Sequence, residues 1–176
     1  SPAAELPEHY DEMVQVLLKI AALVRSHKEA GVAPPKVLVT GESSGTVATM
    51  FVMAGADVAT CDLAPTETPH ITHFRGDAAW IQDLGFDLVI AHPPCTYLSN
   101  AGLTWLYTEP DRFGHMVDAA NQYRRMRAAR APFVATENPK MHRHARTVIG
   151  GAFAQYVHPW QHGTGHTKPT GLELKG

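Results

Sequence analysis

The chain has 176 residues, 44% of them hydrophobic, with 15 basic and 17 acidic side chains and a formal net charge of −2. That is the length of one domain with a single sizeable core, and it offers no global attraction for a polyanion, so any nucleic acid would have to be met by a local patch. No run approaches the roughly 18 uninterrupted apolar residues of a membrane span, no basic-then-apolar leader opens the chain, and two cysteines are too few for a disulfide scaffold. These features point to a soluble, intracellular protein in which Cys61 and Cys95 are reduced thiols, each a candidate for chemistry. The start Ser-Pro-Ala-Ala reads as a trimmed or engineered one and carries no functional weight.

In chain order, Met13, Val16, Leu17, Ile20, Leu23 and Val24 recur three and four apart, which predicts an amphipathic N-terminal helix within residues 1–31, ended by Gly31. From residue 36 to 176 the pattern is that of one core. "KVLVT" predicts a strand closed by Gly41, followed by a helix from about Thr46 to Ala54, a turn at Gly55 and a strand from Asp57 to Cys61. A short strand near Ile71 to Phe74, a helical turn after Asp77 and the strand "FDLVIA" repeat the unit. A helix from about Asp111 to Arg130 then leads into the buried strand "APFVATENP". Beyond Gly150 the runs "AFAQYVHPW" and "TGLELKG" predict an antiparallel hairpin at one edge. The fold class is therefore α/β, a mostly parallel sheet covered on both faces.

In such sheets ligands sit outside the carboxyl ends of the strands. Those ends read Gly41-Glu42-Ser43-Ser44-Gly45, Cys61-Asp62, Gly76-Asp77, His92-Pro93-Pro94-Cys95 and Glu137-Asn138-Pro139. The glycines of the first tip would let a ligand approach the backbone and the helix N-terminus at Thr46, or serve a tight turn alone; the tip matches neither the dinucleotide fingerprint nor the phosphate loop. Asp62 could accept hydrogen bonds from a ribose diol or cap a loop, and Asp77 could line the same pocket or cap the turn after it. Pro93 and Pro94 stiffen the loop before Cys95, which favours a positioned, reactive thiol over a buried structural one. Glu137, at the end of the next strand, should lie beside Cys95 and could hold and donate a proton, while also serving the start of a helix at "KMHRHART".

The eleven histidines include His70 and His73, His142 and His144, and His158, His162 and His166, but no Cys-x-x-Cys accompanies them and no metal is expected. Arg124, Arg125, Arg127 and Arg130, with Lys140, Arg143 and Arg146, make a basic stretch that would serve as a solvated face or as phosphate contacts.

Taken together, "GESSGTV", "CDLAPTE", "AHPPCTYLSNAG", "ENP" and "HTKPTGLELKG" resemble the cytosine-5 DNA methyltransferase family, and more closely its small phage- and prophage-encoded relatives. The resemblance runs from about Lys36 to the C-terminus. It implies a Rossmann-like fold binding S-adenosylmethionine through Gly41, Glu42, Ser43, Gly45, Thr46, Asp62, Leu63, Asp77 and Pro93. It further implies that Cys95 adds to C6 of cytosine while Glu137 holds N3, that Lys168 stands near the family's arginine position, and that Pro94, Ser99, Asn138 and Pro139 contact the base. Thr96 stands where the larger enzymes have glutamine and Pro139 where they have valine, and the sequence stops about where their target-recognition domain begins. The resemblance also implies DNA as substrate in a host-cell cytoplasm, with recognition supplied by a protein partner or a homodimer. Alternatives are a pyrimidine in single-stranded nucleic acid or a free nucleotide, which need less or no base flipping, or a non-catalytic binding protein with this fold.

Overall fold

The computed structural model describes residues 29–151, 153, 155–158 and 169–176. Seven strands form one sheet: β1 (Lys36–Thr40), β2 (Asp57–Asp62), β3 (Thr72–Arg75), β4 (Leu88–Ala91), β5 (Phe133–Pro139), β6 (Gln155–Val157) and β7 (Thr170–Lys175). Their order is β3-β2-β1-β4-β5-β7-β6. The first five are mutually parallel, β7 runs antiparallel to β5, and β6 runs antiparallel to β7. The expected hairpin is thus present, and its second strand is the one inserted next to β5.

Among the described residues, three α-helices accompany the sheet: α1 (Thr46–Met53), α2 (Arg112–Arg127) and α3 (Arg143–Ile149). Strand β3 begins and ends one residue later than expected, and α2 stops at Arg127 rather than Arg130. The expected helix before Gly31 lies, apart from its last residues, outside the described residues; Gly31 itself has φ 69°, as a residue closing a helix commonly does.

The alternation of side chains along each strand sorts the core into two layers. Val37, Val39 and Val58 pack with Ala48 of α1 on one face. Leu38, Val89 and Val134 pack with Met126 of α2 on the other. Helix α2 buries Met116, Ala119, Ala120, Tyr123 and Met126, spaced three and four apart, against the sheet and α3. The sequence runs β1, β2, β3 outward in one direction and β4, β5 in the other, so β1 and β4 flank the switch point. The crevice that this topology opens lies between the tips of those two strands.

That crevice demands a glycine. Gly41 has φ 72°, and a Cβ there would run into the carbonyl of His92; its N–H donates to Cys61 O at 2.8 Å. A side chain would therefore force apart the tips of β1 and β4, at the mouth of the site.

Candidate active site

A cavity of about 220 Å³ opens at the switch point. Its floor is Gly41, Cys61 and Gly76; its polar walls are Asp62, Asp77, His92 and Gln122; its apolar walls are Leu63, Ala78, Pro94 and Met126. Four strand tips and one face of α2 meet here, an arrangement that the parallel registers of β1 with β2 and of β1 with β4 enforce.

The two aspartates keep both roles that the sequence left open. Asp62 Oδ1 accepts from Ala64 N at 2.8 Å, and Asp77 Oδ1 accepts from Ala79 N at 2.9 Å, capping the 3₁₀ turn Ala78–Trp80. Each thereby tethers one carboxylate oxygen to its own loop while standing in the cavity wall.

Of the residues expected to hold a cofactor, Gly41, Asp62, Leu63 and Asp77 line the cavity, and so does Pro94, expected at the substrate. Glu42, Ser43, Gly45, Thr46 and Pro93 do not line it. The reason is visible at Glu42, whose carboxylate turns onto the start of α1 and accepts from Val47 N at 2.7 Å and Ala48 N at 3.3 Å, with Ser44 Oγ donating at 3.2 Å. The helix N-terminus expected to receive a ligand is thus satisfied by the chain's own carboxylate.

His92, Gln122, Met126 and Ala78 are cavity residues that sequence reasoning missed. His92 is legible only as the residue before Pro93. In the structure its backbone N–H donates to Thr40 O at 2.9 Å, and its Nδ1 lies 3.2 Å from the same oxygen, so Nδ1 is the donor there. Gln122 and Met126 come from α2, about 30 residues downstream of Pro93, and no local signal marks them.

Beside the cavity, Pro93-Pro94-Cys95 forms a braced loop. Pro93 is buried and its carbonyl accepts from Asn138 Nδ2 at 2.9 Å across the β4–β5 boundary. The Cys95 carbonyl accepts from Leu98 N at 3.1 Å and Ser99 N at 3.0 Å, closing a turn directly after the thiol. Cys95 is half-buried. Ala91 pairs with Thr136, so Glu137, itself half-buried, comes from the strand adjoining this loop, as the sequence anticipated.

Two residues expected at the substrate are buried. Asn138 is 0% exposed and Ser99 4%; the first holds the proline loop and the second bridges to Met141. Pro139 pairs with Thr170 of β7. Lys168 lies outside the described residues, as do His162 and His166.

Cys61 is not a candidate nucleophile. It is buried, its Sγ donates to Gly76 O at 3.3 Å, and desolvation, reinforced by Asp62 and Asp77, pushes its thiol up to about 11.

The basic stretch of α2 and the loop after it is paired within the chain at three positions, closely only at Arg127. Arg127 donates to Glu173 and to the carbonyls of Ile149 and Gly150, Arg130 lies 3.7 Å from Asp83, and Arg125 lies 3.9 Å from Asp77. The histidine pairs are likewise engaged. His73 bonds Thr60 Oγ1 and Ala64 O, and His144 bonds the Tyr107 hydroxyl. No group of three metal-ligating side chains converges among the described residues.

No model of a known protein family matches the chain, and no curated protein is similar to it in sequence. Solved structures are similar in fold. The Burkholderia thailandensis 1,6-didemethyltoxoflavin-N1-methyltransferase, solved with 1,6-didemethyltoxoflavin and S-adenosylhomocysteine, is 12% identical, with 99% of this chain and 92% of that one aligned at a TM-score of 0.52. Magnesium protoporphyrin IX methyltransferase from Synechocystis, solved with bound S-adenosylmethionine, is 13% identical, with 95% and 83% aligned at 0.51. A prophage-encoded E. coli protein assigned as a DNA modification methyltransferase is 15% identical at 0.51; 80% of this chain aligns with 46% of that one, so the chain spans less than half its length. The fold is that of the S-adenosylmethionine-dependent methyltransferases. At these identities the likeness extends to the fold, and the chemistry has to be argued from the site.

Proposed function

We propose that the protein is an S-adenosylmethionine-dependent methyltransferase that methylates C5 of cytosine in nucleic acid, DNA in the first instance, with Cys95 as nucleophile. The observation that carries the proposal is a half-buried thiol on a proline-stiffened, Asn138-braced loop whose preceding residue, Pro94, lines a cavity walled by Asp62 and Asp77.

The cavity has room for a nucleoside, and its donor set suits one. Asp62 would accept from the ribose hydroxyls and Asp77 from the exocyclic amine of adenine. Leu63, Ala78 and Met126 would sandwich the purine ring. Gly41, lacking a Cβ, would leave its backbone open to the methionine end. S-adenosylmethionine, when bound, supplies an electrophilic methyl group.

The chain's own residues would do the rest. Cys95 Sγ adds as thiolate to C6 of the ring, and the displaced electron pair makes C5 a carbon nucleophile toward the methyl group. Glu137, on the neighbouring strand, holds the proton at N3 that balances this charge. Solvent water takes the C5 proton. The electron pair of that C–H bond re-forms the C5–C6 double bond and breaks the C6–S bond to release the Cys95 thiolate, and N3 returns its proton to Glu137. An oxygen or nitrogen acceptor would not need the thiol.

The test is calorimetric titration with S-adenosylmethionine and S-adenosylhomocysteine, followed by incubation with 5-fluorocytosine-containing oligonucleotide. Saturable binding, weakened roughly tenfold or more in Asp62→Ala as one hydrogen bond to a charged group is lost, and a covalent adduct mapped to Cys95 are the expected results. Absence of cofactor binding rules out the reading for this chain. Binding without an adduct, on DNA or RNA, removes the cytosine C5 assignment and leaves the methyltransferase.

A further inference from the structure

Cys95 opens a segment of successive turns, Cys95 to Tyr107, that includes two 3₁₀ turns, Asn100–Gly102 and Thr104–Tyr107. It leads into α2 and, with the first turn of that helix, leaves three aromatic rings largely in solvent. Trp105 is 52% exposed, Tyr107 66% and Phe113 58%.

The segment is held as a wall. Asn100 N donates to Lys140 O at 3.1 Å, His142 N donates to Leu98 O at 3.0 Å, and the His142 ring bonds Tyr97 O at 3.0 Å. Tyr107 bonds His144 Nε2 at 2.7 Å, and Arg143 donates to the same nitrogen. The wall therefore joins Cys95 to the start of α3, where the exposed Lys140, Arg143 and Arg146 stand. None of these three cations has an ion-pair partner among the described residues. Glu109 is neutralised by Arg112 at 2.7 Å, which leaves Asp111 as the exposed carboxylate there.

We propose that this wall is a binding platform for single-stranded nucleic acid, feeding an unstacked base to Cys95; the inference rests on the functional reading above and names the form of its substrate. Aromatic faces flanked by cations are how proteins hold unpaired strands, because every base offers a π-face while the backbone needs only a few positive charges. A duplex hides its base faces and is held mainly through its phosphates. A chain of net charge −2, in which Lys140 and Arg143 are the cations without an ion-pair partner that hydrogen bonds tie to this wall among the described residues, is poorly equipped for that. A single strand also avoids the unstacking that a base in a duplex requires before it can reach a catalytic thiol.

The experiment is fluorescence anisotropy of a labelled, cytosine-containing oligonucleotide, single-stranded or annealed to its complement, titrated with the protein and its Cys95→Ser variant without cofactor. The single strand should bind at least about tenfold more tightly than the duplex. Trp105→Ala should weaken it by about tenfold, the loss of one stacked base. Phe133→Ala, an equally exposed ring at the opposite end of β5, should leave it unchanged. Lys140→Gln with Arg143→Gln should flatten the salt dependence. Equal or tighter duplex binding overturns the proposal, as does indifference to Trp105→Ala. Self-association that Trp105→Ala abolishes, without oligonucleotide binding, also overturns it and makes the wall a protein interface. Cofactor binding without oligonucleotide binding removes the platform alone; oligonucleotide binding without cofactor binding removes the catalytic reading alone.

Discussion

The two cysteines show how far one residue type can diverge within a single site. Cys61 is next to last in β2 with its thiol spent on the Gly76 carbonyl, and burial, reinforced by two aspartates, pushes its pKa up to about 11. At pH 8 only about one such thiol in a thousand is ionised. Cys95 follows two prolines on a loop that reaches solvent. Brief treatment of the native protein with iodoacetamide at pH 8 should therefore give a single adduct, on Cys95, when digests are read by mass spectrometry. Cys61 should label only after denaturation; comparable native labelling of both would mean that the β2 tip opens readily. The prolines made Cys95 legible from the sequence, whereas the fate of Cys61 depended on Asp77 and Gly76, which only the β2–β3 pairing brings beside it.

At the level of elements, α3 depends on one buried ring. His142 is its N-cap: Nδ1 accepts from Ala145 N at 3.1 Å while Nε2 donates to Tyr97 O at 3.0 Å. The cap needs the neutral imidazole, since only an unprotonated Nδ1 can accept, whereas the Nε2 bond survives protonation; desolvation, the larger effect, lowers the His142 pKa below its ordinary 6.5. Proton counts give the sign of the pH dependence. Above pH 6.5 both folded and unfolded chains hold the ring neutral; below it the unfolded chain takes up a proton that the folded one resists, so this residue costs stability as pH falls from 6.5 toward the folded pKa. Urea unfolding at pH 7.5 and pH 5.5 should show the loss. His142→Asn, which keeps a capping acceptor without a titrating ring, should reduce the difference between the two pH values. An unchanged difference would assign it to other histidines. The sequence presented His142 as half of a His-x-His pair, and only the packing of α3 under the Tyr97 segment made it a cap.

For the whole molecule, the edge beyond β5 is the part held by charge. Arg127 of α2 reaches Glu173 of β7 at 3.2 Å and the terminal carbonyls of α3 at 2.8 and 2.9 Å; the buried Tyr123 hydroxyl donates to the same carboxylate at 2.9 Å. Burial, then Glu173, pushes the Tyr123 pKa up, so the phenol remains a donor throughout the physiological range. One guanidinium thus ties together a helix, the end of a second helix and an antiparallel strand. Arg127→Met keeps the packing stem but leaves the half-buried Glu173 carboxylate with Tyr123 as its remaining donor among the described residues and no counter-charge, and takes the Arg127 donor from two carbonyls. It should cost about 2–3 kcal/mol, seen as a lower urea midpoint at unchanged slope. A loss below about 0.5 kcal/mol, the range of ordinary surface substitutions, would mean that the edge holds without it.

Local pattern alone determined the alternation of strands and helices, the parallel sheet with its antiparallel hairpin, and the row of polar tips. These are read from periodicity and from Gly and Pro, which act on the backbone within a few residues. The proline-stiffened thiol was legible for the same reason. What tertiary structure decided were the partners of long side chains: Glu42 turning onto α1, Arg127 crossing to β7, Ser99 and Asn138 becoming buried, and Gln122 and Met126 arriving at the cavity from α2. A charged or amide side chain takes whichever donor or acceptor folding brings within about 3 Å. That choice is made between segments tens of residues apart, after the sheet has set their distance.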